Sequence, residues 1–212
     1  MGSLNKVDSG LLMSIQNRLL KSSTYWGIKT LKNPMDFWVY QEIIYDVNPD
    51  YIIEIGNYKG GAILAYAHLL DQLNHGSVIG IDIDHSNIDQ KLLDHPRVKL
   101  LEGDALEVLD IVVDFVGQNK KVIIIEDSSH EYQNTLSILK SYSKLVSLGS
   151  YFIVEDSICH HGLNVGPFPG PHEAIMEFLK GNEEFEADKG KESFVITWNP
   201  NGFLKKVKEI CT

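Results

Sequence analysis

Apolar runs of four to six residues, each closed by Gly or an acidic residue and followed by a helix-period stretch, recur along this chain and fix what it can become. Tyr51-Ile52-Ile53-Glu54-Ile55 is entered through Asn48-Pro49-Asp50 and closed by Gly56; Ile63, Leu64, Ala67 and Leu70 then repeat at helical spacing over 60–73. Val78-Ile79-Gly80-Ile81-Asp82, Val98-Lys99-Leu100-Leu101, Lys121-Val122-Ile123-Ile124-Ile125-Glu126 and Tyr151-Phe152-Ile153-Val154-Glu155 repeat the pattern, with helices over about 105–116 and 131–145 between them. Strands aliphatic on both faces and separated by helices belong to a parallel sheet covered on both sides. After a Gly/Pro-rich loop over 164–171 comes a helix over 171–179. The rhythm then changes to short strands over 185–187, 193–198 and 203–207, read as antiparallel additions to the sheet. Two helices, about 11–20 and 35–47, with the aromatics Tyr25, Trp26, Phe37, Trp38 and Tyr40, precede the first strand. The expectation is one unit over 1–212, an N-terminal helical segment to about residue 47 and an α/β core from 48.

A chain of 212 residues suffices for one compact core. Its formal net charge of -10 repels nucleic acid and anionic membranes at long range, so neither is expected as a partner. Cys159 and Cys211 make no disulfide scaffold, and no signal or membrane segment is evident, which points to the cytoplasm. Gly2 makes a poor myristoylation site because Lys6 stands where Ser or Thr belongs.

The loop Glu54-Ile55-Gly56-Asn57-Tyr58-Lys59-Gly60-Gly61 joins a strand to a helix, where glycines let a ligand approach the main chain. It carries neither a Gly-x-Gly-x-x-Gly fingerprint nor a Walker loop, and Glu54 ahead of the first glycine suits a cationic or hydroxyl-rich ligand better than a phosphate. Glu54, Gly56, Tyr58, Gly60 and Gly61 are therefore candidate cofactor contacts. Asp82 ends the second strand, where a carboxylate accepts from ribose hydroxyls; Asp84 competes for that role, and Asp104 closes the third strand near an adenine position. Successive strand ends of this kind define a single crevice for an adenosine-sized ligand.

Glu126-Asp127-Ser128-Ser129-His130 and Glu155-Asp156-Ser157 end two further strands, so four carboxylates and an imidazole converge on that crevice. Such crowding is costly unless a cation or protons balance it, and an all-oxygen set favours a hard ion, Mg²⁺ first. Each acidic residue also fits a helix N-cap. His160 and His161 beside Cys159 form a weaker transition-metal alternative, because adjacent His side chains diverge. Lys32 and Lys59 are the basic groups nearest these motifs.

Lys32-x-Pro34-x-Asp36 with Tyr40-Gln41-Glu42, Glu54-Ile55-Gly56 followed by Lys59-Gly60-Gly61, Asp127-Ser128-Ser129-His130, Val154-Glu155-Asp156, Gly170-Pro171-x-x-Ala174 and Gly202-Phe203-Leu204 resemble, in order, the cephalosporin hydroxylase family. Its members include sugar and macrolide O-methyltransferases. The resemblance implies a Rossmann-like class I methyltransferase fold, with a mostly parallel seven-stranded sheet, helices on both faces and antiparallel C-terminal strands. It implies S-adenosylmethionine held by Gly56, Gly60 and Asp82 with Asp104 near the adenine, and Mg²⁺ held by Asp127, Glu155 and Asp156. His130 is then the general base, with Glu126 in reserve. Ser129 departs from the acidic residue many relatives carry. The implied activity is O-methylation of a small hydroxylated acceptor, a sugar moiety included, by a self-associating enzyme. A non-catalytic accessory protein of a hydroxylase system and a nicotinamide-dependent oxidoreductase are the alternatives.

Overall fold

The computed structural model describes residues 8–209; Gly2 and Cys211 lie outside them. Helix α1 (Ser9–Ser22) leads into a small hairpin, β1 (Thr24–Tyr25) and β2 (Ile28–Lys29), and then α2 (Pro34–Val47). The core follows as β3 (Tyr51–Ile55), α3 (Gly61–Leu73), β4 (Ser77–Asp82), α4 (Gln90–Leu93), β5 (Val98–Glu102), α5 (Leu109–Val116), β6 (Val122–Glu126), α6 (Tyr132–Tyr142), β7 (Tyr151–Val154), α7 (Pro171–Gly181), β8 (Phe185–Ala187) and β9 (Phe203–Lys206). The sheet has seven strands in the order β5-β4-β3-β6-β7-β9-β8. The first five are parallel, and β9 pairs antiparallel with both β7 and β8. This is the expected α/β architecture.

Alternation along the strands sorts their side chains into two layers. Ile53, Ile55, Ile124, Phe152 and Val154 pack with Val112 of α5, Leu136 and Leu139 of α6 and Ile175 of α7. Ile52, Ile123, Ile125, Tyr151 and Ile153 face the other way, onto Tyr40 and Ile43 of α2 and Ile63 and Tyr66 of α3. The N-terminal aromatics divide accordingly. Phe37 stacks on Tyr66, and Tyr40 packs on Tyr66 and Phe203, whereas Trp26 and Trp38 are exposed.

Two expected elements differ. Residues 193–198 form no strand among the described residues: Trp198 N donates to Asp36 Oδ2 at 2.7 Å, so a carboxylate takes the N–H that a sheet ladder would have used. The helix expected from 105 starts at Leu109, because Asp104 Oδ1 accepts from Leu106 N at 2.8 Å and caps a preceding turn.

Strand order reverses between β3 and β6, since the chain winds outward from β3 to β5 and then returns beside β3. In open α/β sheets that reversal opens a crevice at the strands' C-terminal ends. Here the gap is bridged tightly: Asp127 N donates to Ile55 O at 2.8 Å, and a Cβ on Gly56 would sit 2.1 Å from Asp127 O. With φ at +87° as well, only glycine fits. Gly56→Ala should destabilise the fold by at least about 3 kcal/mol, a melting temperature lower by roughly 6–12 °C. A shift within about 2 °C in a thermal melt would contradict this close approach.

Candidate active site

The crevice at this reversal has a volume of about 610 Å³ and is walled by the glycine loop, the ends of β4 and β5, the segment after β6, and residues 29–33 ahead of α2. Asp82 organises the loop. Its Oδ2 accepts from Asn57 N at 2.6 Å and Tyr58 N at 3.1 Å, which turns the loop over the end of β4. Buried Asn57 ties back to Glu54 O through its amide nitrogen and lies 3.0 Å from His85 Nε2 through its oxygen. Gly61 admits Thr30, whose hydroxyl would lie 1.7 Å from any added Cβ, while Gly60 makes room for Leu92. These two glycines thus serve helix packing against their neighbours. Gly56, Tyr58, Gly61, Asp82 and Asp104 line the crevice; Asp84 is exposed beside it, and hydrogen bonds from the Ser86 hydroxyl and from Ser86 N at 2.7 Å hold its carboxyl below its ordinary range.

The acidic residues divide by strand parity. Glu54, Asp127 and Glu155 project to the α2/α3 side, where the Lys32 ammonium lies 2.9 Å from Glu54 Oε1, 2.5 Å from Asp127 Oδ2 and 2.5 Å from Glu155 Oε1. Burial opposes the charge on Lys32, but the three carboxylates outweigh it and hold its pKa well above the ordinary value. Burial pushes Glu54 and Glu155 up, and Lys32 only partly offsets it. For Asp127 the balance tips the other way: burial is overcome by Lys32 and His130, and its pKa falls.

On the outer side, His130 Nε2 lies 3.0 Å from Asp127 Oδ1 and 3.4 Å from Asp156 Oδ2. Ligand atoms of Asp127, His130 and Asp156 all fall within 4.8 Å of one another, a spacing one cation can satisfy. Burial disfavours an imidazolium there, yet the bond to Asp127 and the charge of Asp156 override it and push His130 up to about 9. Tyr58, His130 and Asp156 all have positive φ, between 50° and 59°, a conformation side chains adopt only where surrounding structure holds them.

Glu126 differs from its expected place at the crevice. Parity turns it toward α6, where it is buried and accepts from Ser128 Oγ at 2.8 Å, Ser128 N at 3.2 Å and Thr135 Oγ1 at 3.3 Å. Burial raises its pKa to about 7 against those donors. His160 Nε2 lies 3.1 Å from Gly166 O, and His161 Nε2 lies 2.6 Å from Glu173 Oε1, so both imidazoles serve the loop after β7.

The family model described as rhamnosyl O-methyltransferase/CmcI matches residues 17–207. The chain belongs to this family. A rhamnosyl O-methyltransferase of Mycobacterium bovis is 31% identical over 201 residues, covering 89% of this chain and 80% of that protein. One from Mycobacterium leprae is 30% identical over 203 residues, covering 89% and 85%. Among solved structures, CmcI with Mg and SAM superposes with a TM-score of 0.69 at 23% identity over 91% of this chain and 84% of that one. An O-methyltransferase of Bacillus cereus in complex with SAH gives 0.59 at 17% identity over 86% and 84%. These two likenesses establish a shared fold.

In this chain, the string Lys32-x-Pro34-x-Asp36 acquires a physical role beyond its use as a landmark. Asn33 caps α2, Pro34 begins it, and Asp36 one turn on accepts from Asn33 Nδ2, Thr197 Oγ1 and Trp198 N. Burial raises the Asp36 pKa to about 6 despite these three donors. The same segment delivers Asn199, which sequence reasoning passed over. Its Oδ1 accepts from Asp156 N at 3.1 Å, and its Nδ2 donates to Tyr40 OH at 2.6 Å. Only its place just before Pro200-Asn201-Gly202 marked it. Asn199→Ala should cost about 2 kcal/mol, a melting temperature lower by roughly 4–8 °C, because buried Tyr40 and the Asp156 N–H lose partners. Unchanged stability by calorimetry would show that water replaces the amide.

Proposed function

We propose that this chain is an S-adenosylmethionine- and Mg²⁺-dependent O-methyltransferase acting on a hydroxyl of a small, sugar-containing acceptor. The observation that carries the reading is the meeting of Asp127, His130 and Asp156 at the mouth of a crevice whose other wall is the Gly56–Asp82 loop. Family membership supports methyl transfer to oxygen, and the curated relatives named rhamnosyl O-methyltransferase support a sugar hydroxyl as its target. The solved CmcI structure with Mg and SAM supports the cofactor pair.

The residues present fit both groups. An acidic crevice suits a sulfonium, Asp82 and Asp104 stand where an adenosine moiety would lie, and hard carboxylate oxygens suit Mg²⁺. Asp127 and Asp156 would hold the metal, with Glu155 closing the acidic ring from the Lys32 side. Mg²⁺, when bound, supplies a Lewis acid that lowers the pKa of a coordinated hydroxyl. An aliphatic hydroxyl is almost fully protonated at neutral pH, so transfer needs a proton acceptor beside it. His130 Nε2 takes that proton; at rest, an imidazolium there is stabilised between Asp127 and Asp156. With those carboxylates committed to a cation, the imidazole loses the support that keeps it charged at rest. Glu126, turned away beneath α6, orders Ser128.

The same reading takes residues 1–212 as one catalytic unit in the cytoplasm. Among the described residues, no helix is long and apolar enough to cross a membrane. The exposed Trp26, Trp38 and Tyr45 support self-association.

Calorimetry should show binding of S-adenosylhomocysteine and none of NAD⁺; the reverse would overturn the reading. In a methyl-transfer assay on rhamnosides and other diols, chelator should abolish turnover. Asp127→Ala and Asp156→Ala should do the same while leaving homocysteine-product affinity within about threefold, and His130→Ala should slow turnover by roughly two or more orders of magnitude. Full activity in any of these variants would refute the role assigned to that residue.

A further inference from the structure

The Lys32 ammonium is the least expected group in the crevice, because it sits where a metal ion could sit. We propose that the acidic cleft contains two adjacent cation positions sharing Asp127, and that Lys32 is a tethered cation permanently filling the inner one. A single divalent ion is then confined to the outer one. The inference rests on the metal-dependent reading above and assigns Lys32 a place in it.

Three observations lead there. First, oxygens of Glu54, Asp127 and Glu155 lie within 4.8 Å of one another, the spacing also found for the Asp127, His130 and Asp156 ligand atoms. The inner group is as well shaped for an ion as the outer. Second, Asp127 faces both ways. Its Oδ2 lies 2.5 Å from Lys32 Nζ and its Oδ1 lies 3.0 Å from His130 Nε2. Third, Glu54 is fully buried and neither of its oxygens meets a hydrogen-bond donor in good geometry; the ammonium 2.9 Å away is what balances it. A buried carboxylate without a partner is expensive, so this position demands a cation of some kind.

Lysine suits the task. Its ammonium is a compact point charge that donates to Asp127 and Glu155 and lies 2.9 Å from Glu54 Oε1, on a stem long enough to reach inward from the segment ahead of α2. Asn33 and Asp36 fix that segment, so the ammonium is delivered by the fold. Charge also closes. With the four carboxylates ionised and His130 neutral beside a bound ion, Glu54, Asp127, Glu155 and Asp156 against one ammonium leave three negative charges, which one divalent ion and one sulfonium neutralise. A second divalent ion in place of Lys32 would leave the sulfonium facing a site already neutral.

The test counts ions. The wild-type chain and Lys32→Met, each with S-adenosylhomocysteine bound, are titrated with Mn²⁺ and followed by equilibrium dialysis and electron paramagnetic resonance. Wild type should take one Mn²⁺ per chain, and Lys32→Met should take two, with the exchange-coupled spectrum of a neighbouring pair. One equivalent in Lys32→Met, at whatever affinity, overturns the inference and leaves the methyltransferase reading standing. Zero equivalents in wild type counts against the metal-dependent reading itself, and the inference falls with it. Should Lys32→Met fail to fold, ¹⁵N-lysine NMR on the wild-type chain decides. The protected Lys32 ammonium signal should persist in saturating Mg²⁺, and its loss would show that the ion takes the inner position.

Discussion

Burying like charge is the constraint the whole site answers. Three neighbouring strands, β3, β6 and β7, bring Glu54, Asp127, Glu155 and Asp156 to one edge of the sheet. In a low-dielectric interior such a set is unstable unless cations or protons accompany it. The structure supplies one cation from its own chain, Lys32, and places one imidazole, His130, between the two outermost carboxylates. The site's remaining appetite for positive charge suits the metal ion and sulfonium donor proposed for it.

The scaffold that permits this is narrow. β3 and β6 approach so closely after their last residues that Gly56 lies against the Asp127 carbonyl, and this contact sets the distance between the glycine loop and the acidic cluster. On the far side, Asp36 and Asn199 join the start of α2 to the stretch before β9 and hold the backbone of Asp156 in its left-handed conformation. Residues far apart in sequence thus place the carboxylates, which explains why much of the buried polar structure lies just behind the crevice wall.

The strands were legible in the sequence because their aliphatic runs are continuous and bounded, and the Gly56 loop was legible because its glycines fall between a strand and a helix. The stretch 193–198 misleads because it has strand composition while its hydrogen bonds go to Asp36, a partner more than 150 residues away in the chain. Asp127, Asp156 and His130 could be picked out by type and position. What chain order alone did not convey was parity: Glu126 and Asp127 are adjacent and point to opposite faces, so one stabilises the base of α6 while the other enters the crevice. Lys32 could be noticed as a cation near a motif, but its distance in sequence from Asp127 and Glu155 hid their pairing. His and Asp are enriched among left-handed residues, but residue type alone does not single out His130 and Asp156 from the chain's other His and Asp.

The central claim is that a divalent ion held by these strand ends lies next to the methyl group being transferred. Electron–nuclear double resonance on the Mn²⁺-loaded enzyme, with S-adenosylmethionine labelled at its methyl carbon and an unreactive acceptor analogue bound, measures that separation directly. A metal–oxygen bond followed by a near-attack contact spans about 5–6 Å, and a methyl carbon at that distance from Mn²⁺ is the result the account predicts. A labelled carbon with no resolvable coupling, more than roughly 10 Å from the ion, would contradict it.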